Sequence, residues 1–94
     1  MFEILYSRKF LKDVKLLKKR SIRDFEELAN VLKILADKGH KGLDRKHNAH
    51  KLSGEFSGYW ECHVRPDVLL IWDENEKLML LELVRTGTHS DLFN

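Results

Sequence analysis

Histidine is the residue type in this sequence best suited to proton transfer. An imidazole has an unperturbed pKa of about 6.5, so both protonation states are populated at neutral pH and the ring can act as a general acid or a general base. The five histidines are His40, His47, His50, His63 and His89. His63 stands out because it lies within a predicted strand rather than in a polar loop, and His89 lies in a polar tail that no folding argument requires.

The stretch YWECHVR, residues 59–65, alternates between two faces as a strand does. Trp60, Cys62 and Val64 share an apolar face, and Tyr59, Glu61, His63 and Arg65 share the opposite one. The first face is fit for a core. The second face is fit for chemistry, with His63 flanked by a carboxylate and a guanidinium.

Two more apolar runs follow, residues 68–72 and 78–85, separated by turn signals at Pro66-Asp67 and at residues 73–77. The three runs predict an antiparallel meander. Residues 68–72 are apolar on both faces, which is typical of a central strand covered on two sides. Gly87 closes the last strand, so the polar tail with His89 and Phe93 begins at its end.

The first half of the chain predicts the elements that support this sheet. Phe2 to Tyr6 is a short strand, Ser7 begins a helix that runs to about Lys19, and Ser21 begins a second helix that stops at Gly39. The apolar stripes are Phe10, Leu11, Val14 and Leu17 in the first helix and Phe25, Leu28, Val31, Leu32, Leu35 and Ala36 in the second. His40 to Lys51 is expected to be an exposed loop, and Leu52 to Phe56 a further strand. We therefore expect an α+β fold in the order β-α-α-β-β-β-β, with two N-terminal helices packed on one face of an antiparallel β-sheet.

Length and composition limit the classes of protein. With 94 residues, the chain is long enough for one compact domain, residues 1–94, and too short for two. No run approaches the roughly 20 apolar residues that cross a bilayer, and the charged start does not resemble a secretory signal. The lone Cys62 cannot form an internal disulfide and fits a small buried hydrophobe in a reducing cytoplasm.

Charge is distributed unevenly along the chain. Residues 1–51 contain fourteen Lys or Arg and seven acids, a net charge of +7, whereas residues 52–94 have a net charge of −5. The predicted helical hairpin contributes Arg8, Lys9, Lys12, Lys15, Lys18, Lys19, Arg20 and Arg23. These cations are compatible with binding to a phosphate backbone, and equally with an ordinary solvated lysine face.

The segment from His50 to Phe93 resembles a known family. Its motifs are HKLSG at residues 50–54, GY at 58–59, H-x-x-P-D at 63–67 and RTGTHSDLF at 85–93. They resemble the YafQ branch of the RelE/ParE toxins, the ribonuclease toxins of type II toxin–antitoxin modules, and the predicted element order fits that RelE-like fold. The resemblance implies catalytic roles for His50, His63, Asp67 and His89, and substrate-binding roles for Arg85, Phe93 and Lys51.

The implied chemistry is metal-independent RNA cleavage. The 2′-OH of RNA can attack the adjacent phosphate when one group removes its proton, another protonates the leaving 5′-oxygen, and cations stabilise the added charge. His50 or Asp67 is the candidate base, His63 or His89 the candidate acid, and Arg85 the phosphate partner. Phe93 would stack on a splayed base. Val68 departs from the family, which often has an aromatic residue there, and Trp60 stands where an arginine is common.

Two alternatives remain open from the sequence. His50, His63, Asp67 and His89 could in principle ligate a metal such as zinc, although none of their spacings is a metal signature. The chain could also be a binding module of the same fold that does not cut RNA. The resemblance further implies a cognate antitoxin, mRNA as substrate and action at the ribosome, with no cofactor and no membrane.

Overall fold

A computed structural model describes residues 1–93 of the chain. Its regular elements are, in order, β1 (Glu3–Tyr6), α1 (Arg8–Arg20), α2 (Ile22–Lys38), β2 (His50–Lys51), β3 (Trp60–Arg65), β4 (Val68–Asn75), β5 (Leu80–Gly87) and α3 (His89–Phe93). Short 3₁₀ turns cover Gly39–Gly42, Arg45–His47 and Gly54–Phe56. Six of the seven predicted elements are confirmed, the strand predicted at Leu52–Phe56 is replaced by a two-residue strand just before it, and α3 is an addition that the sequence did not predict.

Serine residues begin both long helices, as predicted. The hydroxyl of Ser7 accepts a hydrogen bond from the backbone N–H of Phe10, and that of Ser21 accepts one from the N–H of Asp24. Because Ser21 alone joins α1 to α2, the two helices form a tight hairpin. Gly39 ends α2 with a φ of 67°, a conformation that favours glycine.

The sheet has the strand order β1-β5-β4-β3-β2. The pairs from β2 to β5 are antiparallel, as predicted, but β1 lies parallel to β5. The sheet is therefore mixed, and the expectation of a wholly antiparallel sheet is wrong for β1. Whether two strands pair in parallel or antiparallel depends on which strands become neighbours. The helical hairpin separates β1 from β2, the next strand in the chain, and β1 pairs with β5 instead.

Apolar residues cover β4 on both faces, as its sequence predicts. On the face covered by α1 and α2, the main core contains Phe10, Leu17, Leu28, Val31, Leu35, Cys62, Val64, Val68, Leu70, Trp72, Leu81 and Leu83. The opposite face of the sheet, called the second face below, carries a smaller cluster of Leu69, Ile71 and Leu92, with Leu52, Phe56, Tyr59 and Val84 packed against it. The core face predicted for residues 59–65 is confirmed.

Several predicted boundaries differ from the structure. Leu52 to Phe56 is not a strand, because Gly54 has a φ of 73° and the chain turns there. The edge strand β2 lies just before it, at His50–Lys51. The strand β4 extends to Asn75, so its turn into β5 comes later than predicted. Leu11 is half exposed instead of joining the apolar stripe of α1.

The predicted exposed loop after α2 is more structured than its composition indicates. His47 is buried, and its Nδ1 lies 2.7 Å from the backbone oxygen of His63. The ring of His40 stacks on Trp60 with 4.0 Å between ring centroids. Two loop histidines thus fasten the loop to the sheet. In residues 1–93, no helix has both the length and the hydropathy needed to cross a membrane.

Candidate active site on the second face of the sheet

Strand register places three candidate residues in one row across the second face. His50 is paired with Glu61, Glu61 with Ile71, and Ile71 with Arg85. Residues directly opposite each other in antiparallel strands have side chains on the same face. Ile71 belongs to the second-face cluster. The side chains of His50, Glu61 and Arg85 therefore leave their strands on that face as well.

A neighbouring row brings His63 toward the start of α3. His63 is paired with Leu69, and Leu69 with Gly87, which lies two residues before His89. Adjacent strands lie about 4.8 Å apart, so the backbones of His63 and Gly87 are separated by roughly 10 Å. Residues from β2, β3, β5 and α3 therefore meet on one side of the sheet.

The imidazole of His50 is held at both nitrogens. Its Nδ1 lies 2.7 Å from the carbonyl oxygen of Asn48, and its Nε2 lies 3.2 Å from Oε1 of Glu61. A carbonyl oxygen can only accept, so Nδ1 carries a proton. With Nε2 beside the carboxylate, the ring is fixed between Asn48 and Glu61.

Glu61 is the member of this pair that is shielded from water. Its side chain is only 9% exposed, against 40% for His50. Its Oε2 atom is buried and has no hydrogen-bond partner within residues 1–93. A buried carboxylate oxygen without a donor is costly, so a hydrogen-bond donor that approaches this side would stabilise Glu61. Strand alternation correctly predicted that Glu61 lies on the same face as His63. No functional role was predicted for Glu61.

His63 and Asp67 lie at the far end of the same strand hairpin. His63 is half-buried, and its Nδ1 makes a long contact of 3.4 Å with the backbone oxygen of Pro66. Asp67 is exposed in the turn between β3 and β4. His63 also lines an open depression of about 570 Å³ that includes Lys46 and Arg65. Arg65 is already paired with an acid of α2, at 2.8 Å.

The short helix α3 presents an imidazole and an aromatic ring together. His89 is exposed, and its ring centroid lies 5.1 Å from that of Phe93. Phe93 contacts Phe56 edge-on at 5.9 Å and remains 43% exposed. Phe56 in turn lies against Tyr59 at 6.2 Å. A row of aromatic rings therefore runs from Tyr59 to Phe93 and ends beside His89, where Phe93 is partly exposed.

Arg85 is paired with an acid of α1. Its Nε donates to Oδ2 of Asp13 at 2.7 Å and its Nη2 donates to Oδ1 at 3.1 Å. The hydrogen bonds to Asp13 raise the pKa of Arg85, so the guanidinium is always charged. Its Nη1 makes no side-chain hydrogen bond in the described part of the chain, which leaves one edge for another anion. The pairing with Asp13 was not predicted.

Lys51 and Val68 lie apart from this group. Lys51 is paired with Trp60 in register, and its ammonium lies 5.9 Å from the Trp60 ring centroid. Because successive residues of a strand point to opposite faces, Lys51 is directed away from the row that contains His50. Val68 is buried in the main core, so this position offers no surface for base stacking.

Strand register and the packing of α3 thus place His50, His63, His89 and Phe93 on the second face, with Asp67 at the adjoining turn, whereas the Arg85 guanidinium is held by Asp13 of α1. Among residues 1–93, no hydrogen bond connects any two of the four candidate catalytic side chains. They share a surface that a bound substrate could bridge.

A separate trio of possible metal ligands lies away from this surface. Ligand atoms of His40, Glu74 and Glu76 lie within 4.8 Å of one another. Both oxygens of Glu74 are already engaged, one with Nδ1 of His40 at 2.6 Å and the other with the indole N–H of Trp72 at 3.0 Å. The contacts fit a buried polar pair that ties the turn after α2 to β4. The candidate catalytic residues form no such ligand group in the described residues.

Two helices packed on one face of such a sheet are also found in a solved toxin structure. A YoeB/ParE toxin from Agrobacterium tumefaciens has this fold, with a TM-score of 0.79 at 15% identity over 94% of this chain and 99% of that one. The family model described as the bacterial toxin of type II toxin–antitoxin system, YafQ, matches residues 2–94. The chain therefore belongs to the YafQ toxin family, as its motifs predicted.

Individual relatives agree with this assignment. The mRNA interferase toxin YafQ of Escherichia coli K12 is 38% identical over 91 residues, which cover 97% of this chain and 95% of the relative. The E. coli DinJ–YafQ complex has a TM-score of 0.87 at 36% identity, with both chains fully covered. A metal-bound toxin from Helicobacter pylori has a TM-score of 0.85 at 39% identity, covering 99% of this chain and 100% of that one.

Proposed function

We propose that this chain is the toxin of a type II toxin–antitoxin module and an endoribonuclease that cleaves mRNA in the cytoplasm. Family membership supports the toxin assignment, and the E. coli relatives are named mRNA interferases. The observation that carries the enzymatic proposal is the 3.2 Å contact between His50 and the buried carboxylate of Glu61, on the same face of the sheet as His63. A module that only binds a partner has no need for such a pair.

The proposed reaction is metal-independent acid–base catalysis. His50 or Asp67 removes the proton of the 2′-OH, whose oxygen attacks the adjacent phosphorus, and His63 or His89 protonates the leaving 5′-oxygen. Glu61 fits this scheme as the carboxylate that orients His50, whose Nε2 must exchange its contact with Glu61 for the 2′-OH in order to act as the base. Each proton step needs a group with an accessible ring or carboxylate, and His89 and Asp67 are both exposed.

Arg85 and Phe93 are the proposed substrate contacts. The free edge of the Arg85 guanidinium can donate to a phosphate oxygen while Asp13 holds the other edge. Phe93 offers an exposed ring beside His89, and single-stranded RNA is commonly bound by stacking of its bases on such rings. Stacking there would place the scissile phosphate next to an imidazole.

Action on translated mRNA and inhibition by an antitoxin belong to the same proposal. The half of the chain with net charge +7 contains the helical hairpin, whose lysines are exposed, and such a surface fits ribosomal RNA or the acidic segment of an antitoxin. The E. coli YafQ structure solved together with DinJ supports a protein partner of this kind. Cleavage of naked RNA, compared with the same message under translation, measures the contribution of the ribosome.

The test is to induce the chain alone in bacteria and map the 5′ ends of cellular mRNA. We expect growth arrest with new cleavage ends for the wild type. His89→Ala should reduce cleavage about 10²- to 10⁴-fold, the usual range for one acid–base group, with an unchanged circular dichroism spectrum. Growth arrest without new ends would favour a binding module of the same fold, and wild-type cleavage by the alanine variant would remove His89 from the mechanism.

A further inference from the structure

Two residues of α1 hold the segment that leads into α3. Oδ2 of Asp13 accepts hydrogen bonds from the Arg85 side chain at 2.7 Å and from the backbone N–H of Thr86 at 3.1 Å. Nη1 of Arg20 donates to Oδ2 of Asp91 at 2.7 Å. Asp13 and Arg20 are seven residues apart, so they lie on the same side of the helix, about two turns from each other. Residues 85–91 are thus fastened to α1 at both ends.

Asp91 also completes the start of α3. Its Oδ2 accepts from the N–H of Thr88 at 2.9 Å, and its own N–H donates to the Thr88 hydroxyl at 3.2 Å. This reciprocal pair is a capping box with aspartate as the acid. A five-residue helix is unstable by itself, and Leu92 is its only buried residue. Polar contacts of Asp91 therefore have a large share in fixing where α3 lies.

We propose that Asp13 and Arg20 are positioning residues for RNA cleavage, because they fix residues 85–91 and thereby the locations of Arg85, His89 and Phe93. The inference rests on the proposed function, since it takes His89 to be a working residue. By its position among the exposed cations of α1, Arg20 would be expected to contact RNA. Its ion pair with Asp91 instead gives it a role in holding α3 in place.

The Arg20–Asp91 pair persists across the working pH range. The hydrogen bond from Arg20, followed by that from Thr88, lowers the pKa of Asp91 to about 2. A lowered pKa stabilises the fold above the pKa of the unfolded carboxyl, about 3.9, and this stabilisation is lost as the pH falls toward 2. The pair is partly exposed, with side chains 46% and 25% accessible. It therefore contributes little to global stability and more to local geometry.

Steady-state cleavage kinetics of Arg20→Ala, Asp91→Asn and the double variant test the inference. One substitution removes a cation and the other removes an anion, so long-range charge effects on RNA binding have opposite signs. If the pair positions α3, both single variants lower kcat by about 10- to 100-fold, the scale expected for a small misplacement of a working group. KM stays nearly constant, the double variant is no worse than the single ones, and Arg20→Lys restores part of kcat.

Matched controls are Lys33→Ala and Asp37→Asn on the exposed side of α2, which remove one charge of each sign without breaking an ion pair within residues 1–93. Both should retain wild-type kcat. The ring resonances of His89 provide a second readout, because the ring lies beside Phe93 and its chemical shift reports their arrangement. They should move in Arg20→Ala and Asp91→Asn, while those of His40 stay in place.

Two different failures can be told apart. Opposite changes of KM in Arg20→Ala and Asp91→Asn, with kcat unchanged, would show a charge effect on RNA and overturn the positioning role. Wild-type kcat in these variants together with an inactive His89→Ala would overturn it as well, and would leave the proposed function intact. Wild-type cleavage by His89→Ala would contradict the proposed role of His89 itself.

Discussion

His50 and Glu61 face each other across the β2–β3 pair, with Nε2 of the imidazole 3.2 Å from Oε1 of the carboxylate. The second carboxylate oxygen of Glu61 is buried and has no partner within residues 1–93. Together with the Asn48 carbonyl at Nδ1, this contact fixes the orientation of the His50 ring. It makes Glu61 a member of the candidate site that the spacing of the histidines did not reveal.

Replacement of Glu61 by glutamine should separate activity from stability. The amide has the same shape but places no negative charge beside the His50 imidazole, so we expect kcat to fall about 10- to 100-fold. The unfolding free energy should stay equal or rise, because a neutral amide is cheaper to bury than a carboxylate without a partner. Cleavage kinetics and chemical denaturation measure the two effects, with the exposed Glu82→Gln as the control. A stable, fully active Glu61→Gln variant would exclude Glu61 from the site.

Phe93→Leu tests base stacking. Leucine keeps the apolar contact with Phe56 but has no aromatic face, and one stacked base is worth about 1–3 kcal/mol. We expect KM to rise roughly 5- to 150-fold. Phe93→Tyr retains a ring and should stay close to wild type. The kinetics are best measured on a short single-stranded RNA. Equal KM values for the leucine and tyrosine variants would show that Phe93 serves only to pack α3.

Metal removal distinguishes proton transfer from metal catalysis. The proposed mechanism needs only imidazoles, a carboxylate and guanidinium groups, so purified toxin treated with EDTA should cleave RNA at the untreated rate. Addition of zinc or copper is a useful second arm, because a related toxin from Helicobacter pylori is metal-bound. Loss of cleavage on chelation, with recovery on adding back one metal, would replace the proposed mechanism with a metal-assisted one.

Cys62 should be chemically silent in the folded protein. It lies in the main core, and burial, followed by the charge of Glu61, raises the pKa of its thiol to about 12. Almost no thiolate then exists at pH 8, and a thiol-specific reagent cannot reach the buried sulfur. Labelling by a disulfide reagent should be negligible in the native state and stoichiometric in denaturant. Rapid labelling of native protein would place Cys62 at the surface and contradict the packing of β3.

Much of the fold follows from short-range patterns. Ser7, Ser21 and Gly39 set the limits of the helices through local hydrogen bonds and backbone conformation, so the sequence was sufficient there. Strand alternation placed Cys62 in the core and His63 on the opposite face. These features depend on neighbours within a few residues, which is why they can be predicted without a structure.

By itself, the sequence determined the two capped helices, the two-sided burial of β4 and the presence of imidazoles on the face away from the helices. Only the tertiary structure decided that β1 lies parallel to β5, that Glu61 holds His50, and that Asp13 and Arg20 secure the segment with His89. The physical reason is that these contacts depend on strand register and on the side chains that a helix presents to distant residues. Neither is encoded in the spacing of residues along one element.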